Sequence, residues 1–111
     1  MTFERFDVVR VPFPFTDRQA TRNRPALVLS SGKAFNRPTR HAVLAMITSA
    51  ANAPWAGDCL IGDLAAAGLP APSKVRFKLF TLDQQLIRGR LGRLAPADCD
   101  AVAEMGSHIL A

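Results

Sequence analysis

The sequence has few of the residues from which metal and redox sites are built. Its two cysteines, Cys59 and Cys99, lie far apart and lack the Cys-x-x-Cys spacing, so we expect neither a zinc site nor a disulfide framework. The carboxylates Asp58, Asp63 and Asp83 are scattered along the chain, which disfavours a site for a catalytic cation. We therefore predict a protein without a zinc site or a catalytic metal ion.

Long apolar runs and acidic residues are also scarce. No run of membrane-spanning length follows the charged residues Glu4, Arg5 and Asp7, so we expect a cytoplasmic protein without a signal peptide or a membrane partner. Asp and Glu number 9 against 14 Lys and Arg, which gives a formal charge of +5 and a pI near 10.2. This balance favours binding to nucleic acid or to an acidic protein. A surface charge that only keeps the protein soluble is the alternative.

The pattern of apolar residues predicts one α+β domain, mainly β, over residues 1–111. Hydrophobic residues make up 49% of the chain, which is enough for a core. Pro96 opens a helix near the end of the sequence. Many short strands and one helix predict a compact β-barrel with the helix packed on it. The predicted strands are Asp7–Val11, Pro25–Ser30, Ala42–Thr48, Cys59–Asp63, Ser73–Thr81 and Ile87–Leu94.

Two segments allow more detailed predictions. The connector 64–72 is interrupted by glycine and proline and is predicted to be too broken for a stable helix. In residues 73–81, apolar and basic side chains alternate, which predicts opposite faces of one strand. The apolar face would hold Val75, Phe77 and Leu79, and the basic face would hold Lys74, Arg76 and Lys78.

The most informative motif is an arginine pair at the start of a strand. Arg22 and Arg24 precede the apolar run that begins at Pro25, and a second apolar strand ends on the hydroxyl of Thr48. If the two strand ends meet, they form a small cationic pocket lined by a hydroxyl. Arginine offers a planar fork of donors to phosphate oxygens, so such a pocket suits a phosphate.

Several motifs occur in the order that is typical of one known family. The motifs are Asp7-Val8-Val9, Val11–Asp17, Arg24–Ser30, Ala34–Arg37, Ile47–Ser49, Gly68–Pro70, Ser73–Arg76 and Lys78–Asp83. This ordered set covers nearly the whole chain and resembles the MazF/PemK toxins of type II toxin–antitoxin systems. One difference is at Phe6, where the family usually has glycine before the aspartate of the first strand.

This resemblance implies a fold, an activity and partners. The fold would be an SH3-like barrel with a C-terminal helix, as in the MazF and CcdB toxins, and the protein would be a homodimer. The activity would be cofactor-free cleavage of single-stranded RNA. A cognate antitoxin would inhibit it by placing an acidic tail in the RNA groove, and DNA would be contacted only through the antitoxin complex.

The resemblance also assigns roles to residues. Arg24 and Thr48 match the catalytic pair, and Arg76 is the third catalytic candidate. Plasmid-type members carry Arg-x-Asp at this point, whereas this chain has Arg76-Phe77-Lys78, so the carboxylate is missing and the general base is unassigned. The residues expected to bind RNA are Arg18, Arg22, Ser49 and Lys78, with the loop 16–23 setting specificity.

The implied chemistry agrees with the residue types. The 2′-hydroxyl of RNA can attack the adjacent phosphorus if the site aligns the two and stabilises charge on the phosphoryl oxygens. Arg24 suits charge stabilisation and is a poor base, while Thr48 can orient a hydroxyl or a phosphate oxygen. The two histidines, His41 and His108, have no catalytic context, so a histidine-pair nuclease is disfavoured.

Two alternative functions and the role of the single tryptophan stay open at this point. A toxin on the same barrel can bind a protein such as gyrase without cutting RNA, and an SH3-like module can bind RNA without cleaving it. The single tryptophan, Trp55, can stack on a base or contact the antitoxin, or it can cover one end of the barrel.

Overall fold

The structure of the protein, a computed structural model, describes residues 2–13 and 22–111. The α+β class with a majority of strands is as predicted, and the last helix begins at Pro96 as expected. The strands are β1 (Asp7–Phe13), β2 (Arg22–Val28), β3 (His41–Ser49), β4 (Cys59–Leu60), β5 (Ser73–Asp83) and β6 (Gly89–Arg93). The helices are α1 (Arg37–Thr39), α2 (Leu64–Ala67) and α3 (Pro96–Leu110), with a π-helical turn at Gly32–Asn36 and a 3₁₀ turn at Gln84–Leu86.

The six strands form one sheet in the order β4-β5-β3-β2-β1-β6. Every neighbouring pair is antiparallel, and the sheet curls into a half-barrel that carries α3 at the C-terminal end of the chain. Because β2 and β3 are antiparallel neighbours, the first residues of β2 lie beside the last residues of β3. This arrangement places the two predicted site motifs at one edge of the structure.

Both faces of the sheet are buried, which explains why the strands read as nearly continuous apolar runs. Successive residues of a strand point to opposite faces. Val8 and Leu27 therefore join a core cluster that includes Ala67 of α2 and Val102 of α3. The residues next to them in the chain, Val9, Ala26 and Val28, belong to a second cluster on the opposite face. Its other members are Phe3, Val11, Ala42, Leu44, Leu82 and Ile87.

The connector 64–72 contains a helix, and the prediction that it is too broken for one is wrong. The carboxylate of Asp63 accepts a hydrogen bond of 2.9 Å from the backbone N–H of Ala66, which caps the first turn of α2. Gly68 ends it in the left-handed conformation with φ 71°. Ala67 is fully buried in the core, so tertiary packing stabilises a four-residue helix that local propensity does not.

The alternation predicted for residues 73–81 holds only for the first half of β5. The register with β3 shifts between Ala45, which pairs with Leu79, and Met46, which pairs with Arg76. Two residues of β5, Phe77 and Lys78, therefore have no opposite residue in β3. Leu79, which follows them, is 41% exposed, so the burial predicted for the apolar face does not extend to it.

Phe6 stands in backbone geometry that favours glycine. Its φ is +73°, in the left-handed region that costs a bulky side chain about 1 kcal/mol or more. The surroundings hold it there: its N–H donates to the carbonyl of Val28 at 2.7 Å, and its carbonyl accepts from the N–H of Leu94 at 3.1 Å. The departure from the family's glycine is thus accommodated without loss of the turn into β1.

Asn36 is a fully buried polar residue that ties three segments together. Its Nδ2 donates to the carbonyl of Phe3 at 2.8 Å and to that of Ser30 at 3.1 Å. Its backbone carbonyl accepts from Nε2 of Gln84 at 2.8 Å. A buried network in which every member is satisfied fixes a unique arrangement of the chain.

Replacing this residue, Asn36→Ala, should lower the free energy of unfolding by about 2–4 kcal/mol, because it leaves buried carbonyls without a donor. Urea denaturation followed by far-UV circular dichroism measures the change. Gln85→Ala is the matched control, since that side chain is exposed, and it should shift stability by no more than about 0.5 kcal/mol. Equal midpoints for Asn36→Ala and the wild type would contradict this account of the network.

Candidate active site

The start of β2 and the end of β3 meet, as the sequence pattern required for a pocket. Ala26 pairs with Met46, and two residues further out along each strand stand Arg24 and Thr48. Both line one groove of about 340 Å³. The remaining lining residues are Pro25, Ile47, Ser49, Asn52 and the segment 69–73.

Arg24 brings a cation with unused hydrogen-bonding capacity to this groove. Its Nε is buried and has no hydrogen-bond partner among the residues that the structure describes. The guanidinium lies over the ring of Phe13, 4.9 Å from the centroid, which holds the flat group in place. A buried donor without a partner is costly, so a ligand that accepts from it is favoured.

Thr48 is held by a residue that the sequence analysis missed. Nδ2 of Asn52 donates a hydrogen bond to Oγ1 of Thr48. Because the hydroxyl oxygen accepts from the amide, its own hydrogen remains to donate to a group in the groove. Asn52 stands four residues beyond Thr48 in a polar loop, and no sequence signal distinguishes it from an ordinary loop asparagine.

Arg76 does not line the groove. Its Nε donates to Oδ1 of Asp58 at 3.1 Å and its Nη2 to Oδ2 at 3.0 Å, a bidentate pair. Nη2 also donates to the carbonyl of Ala53 at 2.7 Å. The carboxylate that the Arg-x-Asp pattern lacks is therefore supplied by Asp58, which lies 18 residues earlier in the chain.

Asp58 accepts from a second buried cation as well. Nζ of Lys74 lies 3.0 Å from Oδ2 of Asp58 and donates to the carbonyl of Asn52 at 2.7 Å. The hydrogen bond from Arg76 is the main cause that holds the pKa of Asp58 well below its ordinary value of 3.8, and burial opposes it. The side chains of Asp58 and Lys74 are 12% and 7% exposed, so Lys74 is not on the solvated face predicted for it.

The ion pairs of Asp58 with Lys74 and Arg76 make the free energy of unfolding depend on pH. Because the folded pKa of Asp58 is lower than the unfolded value of 3.8, its ionic contribution is present above that pH and is lost as pH falls toward the folded pKa. Asp58→Asn should unfold at lower urea than the wild type at neutral pH, and the gap between the two midpoints should shrink below about pH 4. A gap that stays constant down to about pH 2 would contradict the assignment.

The other residues that were predicted to bind RNA do not all line the groove. Ser49 lines the groove and accepts a hydrogen bond at Oγ from the N–H of Ala51 at 3.2 Å. Arg22 is exposed at the start of β2 and does not line the groove, and Lys78 is exposed over the ring of Trp55. Arg18 and most of the loop 16–23 lie outside the described residues, so their part in the site stays a prediction.

A cavity larger than this groove lies elsewhere. It measures about 670 Å³ and includes Arg37, Arg40 and Arg88 but neither Arg24 nor Thr48. Asn36 and Gln84 also line this cavity, and they form hydrogen bonds to each other and to Phe3. These polar groups therefore stabilise the fold.

Three further findings concern metal ligands, the two cysteines and membrane-spanning helices. Within residues 2–13 and 22–111, no three His, Cys, Asp or Glu side chains come together in a group that could hold a metal ion. Burial raises the pKa of both thiols, Cys59 and Cys99, above the ordinary value, which disfavours the reactive thiolate. Among the described residues, no helix has the length and apolar character needed to cross a membrane.

Comparisons with known proteins agree with this geometry. MazF from Deinococcus radiodurans shares the fold with 19% sequence identity and a TM-score of 0.75, and the match covers 99% of this chain and 97% of that chain. The toxin MazF-mt6 of Mycobacterium tuberculosis has 22% identity and a TM-score of 0.69, with 94% of this chain and 95% of that chain covered. An endoribonuclease in complex with its cognate antitoxin from a Mycobacterial species has 19% identity and a TM-score of 0.74, with 98% of this chain and 93% of that chain covered. No curated protein sequence matches the chain. The family model for the PemK-like, MazF-like toxins of type II toxin–antitoxin systems matches residues 4–108. The chain therefore belongs to the PemK-like, MazF-like toxin family of type II toxin–antitoxin systems.

Proposed function

We propose that this toxin is an endoribonuclease that cleaves single-stranded RNA by attack of a 2′-hydroxyl on the adjacent phosphorus. The observation that carries the proposal is the groove lined by both Arg24 and Thr48, in which the buried Nε of Arg24 has no hydrogen-bond partner among the described residues. Solved structures of similar fold include one named as an endoribonuclease, which supports the same reaction class.

The proposed step uses these two groups. The 2′-oxygen forms a bond to phosphorus, the bond to the 5′-oxygen breaks, and the products are a 2′,3′-cyclic phosphate and a 5′-hydroxyl. Arg24 binds the phosphoryl oxygens as negative charge develops on them, and the Thr48 hydroxyl donates to the phosphate or orients the 2′-hydroxyl. The proton of the 2′-hydroxyl passes to water, and the leaving oxygen takes one from water, because the described lining holds no carboxylate or imidazole.

Arg76 and Asp58 have a supporting part in this proposal. Asp58 is a weak base because its pKa is lowered, so the pair is better suited to hold the loop 50–58 than to move a proton. That loop carries Asn52, which contacts Thr48, so Arg76 acts on the reaction through the position of Asn52. The predicted role of Arg76 on the scissile phosphate stays a prediction.

The partners follow from the same site. A cognate antitoxin is proposed, supported by neighbours of similar fold that are complexes of MazE with MazF. A homodimer and contact with DNA only through the antitoxin complex are proposed from membership of the family. The excess of basic residues suits both RNA and an acidic inhibitor. We also propose that the chain acts in the cytoplasm, where its RNA substrate is made.

Incubation of the purified toxin with a long single-stranded transcript in EDTA tests the proposed activity. Cleavage that continues in EDTA and is lost on addition of the antitoxin supports it. A transcript that is bound but stays intact would indicate an RNA-binding module. Inhibition of gyrase by a toxin that leaves RNA intact would indicate the non-catalytic alternative.

A further inference from the structure

Trp55 is the one tryptophan of the chain, and it is not a lid over the core. Its side chain is 46% exposed, and it belongs to neither of the two core clusters. Leaving a large aromatic surface in water forfeits the free energy of its burial. An exposed aromatic of this size in a basic protein therefore suggests that a ligand covers it.

Cations surround the ring. Nζ of Lys78 lies 4.5 Å from the ring centroid, and the guanidinium carbon of Arg76 lies 5.9 Å from it. The charge of Asp58 is offset by Lys74 and Arg76 together, so the group of these three with Lys78 is cationic in sum. An aromatic ring with neighbouring cations is the combination that binds single-stranded nucleic acid without sequence preference.

The loop holds the backbone of Trp55 in place before any ligand arrives. The N–H of Trp55 donates to Oδ2 of Asp58 at 3.0 Å, and the N–H of Asp58 donates to the carbonyl of Trp55 at 3.0 Å. Asp58 is itself held by Lys74 and Arg76. A fixed aromatic loses little entropy when a base stacks on it, which strengthens binding.

The loop also places the ring close to the groove. Asn52 lines the groove, and Trp55 follows three residues later, which spans at most about 11 Å even in an extended chain. Neighbouring nucleotides of one strand can cover that distance. The ring is thus within reach of a base next to the phosphate that Arg24 would bind.

We infer that Trp55, with Lys78 beside it, is a stacking subsite for a base of the single-stranded RNA near the cleaved phosphate. The inference rests on the proposed function for the identity of the ligand. Stacking on the ring supplies affinity that does not depend on charge, and Lys78 pairs with a backbone phosphate. An acidic protein segment is the competing ligand, but it gains little from an aromatic face.

The test uses a fluorescently labelled single strand with 2′-O-methyl sugars, which binds but cannot be cleaved. Since Trp55 is the only tryptophan, its intrinsic fluorescence reports directly on stacking. We expect saturable quenching that follows the anisotropy of the label. Trp55→Ala should weaken binding roughly 5- to 150-fold without changing the salt dependence, and Trp55→Phe should restore part of the affinity.

Lys78→Gln separates charge from stacking. It should lower the slope of log affinity against log salt by about 0.7 and leave the quenching at saturation intact. Leu86→Ala is the matched control, an exposed apolar side chain in the 3₁₀ turn (51% exposed), and it should bind like the wild type.

Binding of the strand without quenching, with Trp55→Ala as tight as wild type, would overturn the inference and leave the nuclease proposal standing. Quenching by a poly-glutamate peptide but not by the strand would overturn it in favour of a protein ligand. Quenching by the strand in a toxin that fails to cleave natural RNA would support the subsite and remove only the proposed reaction.

Discussion

Arg24→Ala should reduce the rate of RNA cleavage by about 10²–10³-fold while leaving the protein folded. The guanidinium is the one cation that lines the groove, and its buried Nε has no hydrogen-bond partner within the described chain. Charge that develops on the phosphoryl oxygens would lose its main stabilising donor. The measurement is a single-turnover rate on a labelled RNA at saturating toxin.

Two further variants define what Arg24 supplies. Arg24→Lys keeps the charge and loses the planar fork, so we expect a rate between those of the wild type and the alanine variant. Arg37→Ala is the control, since its side chain is 59% exposed in a surface ion pair with Glu4, remote from the groove lining, and its rate should equal that of the wild type. An Arg24→Ala toxin that cleaves at the wild-type rate would remove this residue from the mechanism.

Thr48→Val should reduce the cleavage rate roughly 10- to 100-fold, the effect expected for loss of one hydrogen bond to a charged group. Valine has nearly the same shape as threonine, so the end of β3 should keep its packing. The substitution removes both the acceptor for Asn52 and the donor into the groove. Single-turnover kinetics on the same RNA gives the rate, and a melting curve checks the fold.

A serine at this position separates the hydroxyl from the methyl group. Thr48→Ser retains the hydroxyl and should cleave within a few-fold of the wild-type rate. Asn52→Ala should have an intermediate effect, because the Thr48 hydroxyl remains but is no longer held. If Thr48→Val and Thr48→Ser lose activity equally, the hydroxyl has no chemical role and the residue only shapes the groove.

The meeting of Arg24 with Thr48 could be predicted because it depends on local signals. One apolar strand starts at Arg24-Pro25, and the next apolar strand along the chain ends at the hydroxyl of Thr48. In an antiparallel pair, the start of one strand lies beside the end of the other. The resemblance to the toxin family added the expectation that Arg24 and Thr48 form a catalytic pair. The fold class followed from the same short apolar runs.

The arrangement around Asp58 could not be predicted. Its partners Lys74 and Arg76 lie 16 and more residues away, and ion pairs across strands leave no periodic signal in a sequence. The alternating pattern instead predicted a solvated basic face, because it contains no information on which loop packs over β5. The bulge at Ala45 and Met46 was hidden for the same reason, since both registers bury apolar residues.

The short helix α2 shows a different limit. Its sequence has glycine and proline close by, and local propensity alone argues against a helix. The cap from Asp63 and the burial of Ala67 against the core decide the outcome. Local signals and tertiary packing disagree here, and packing prevails.

The central claim, attack by the 2′-hydroxyl in the Arg24–Thr48 groove, is tested most directly by a single deoxy substitution. The cut site is first mapped on a long transcript, and a short RNA is then made with 2′-deoxyribose only at the nucleotide that donates the attacking oxygen. The account predicts that the all-ribose strand is cut in EDTA to a 2′,3′-cyclic phosphate and a 5′-hydroxyl, and that the deoxy strand binds equally well but stays intact. Cleavage of the deoxy strand at the same bond, or no cleavage of the all-ribose strand, would contradict it.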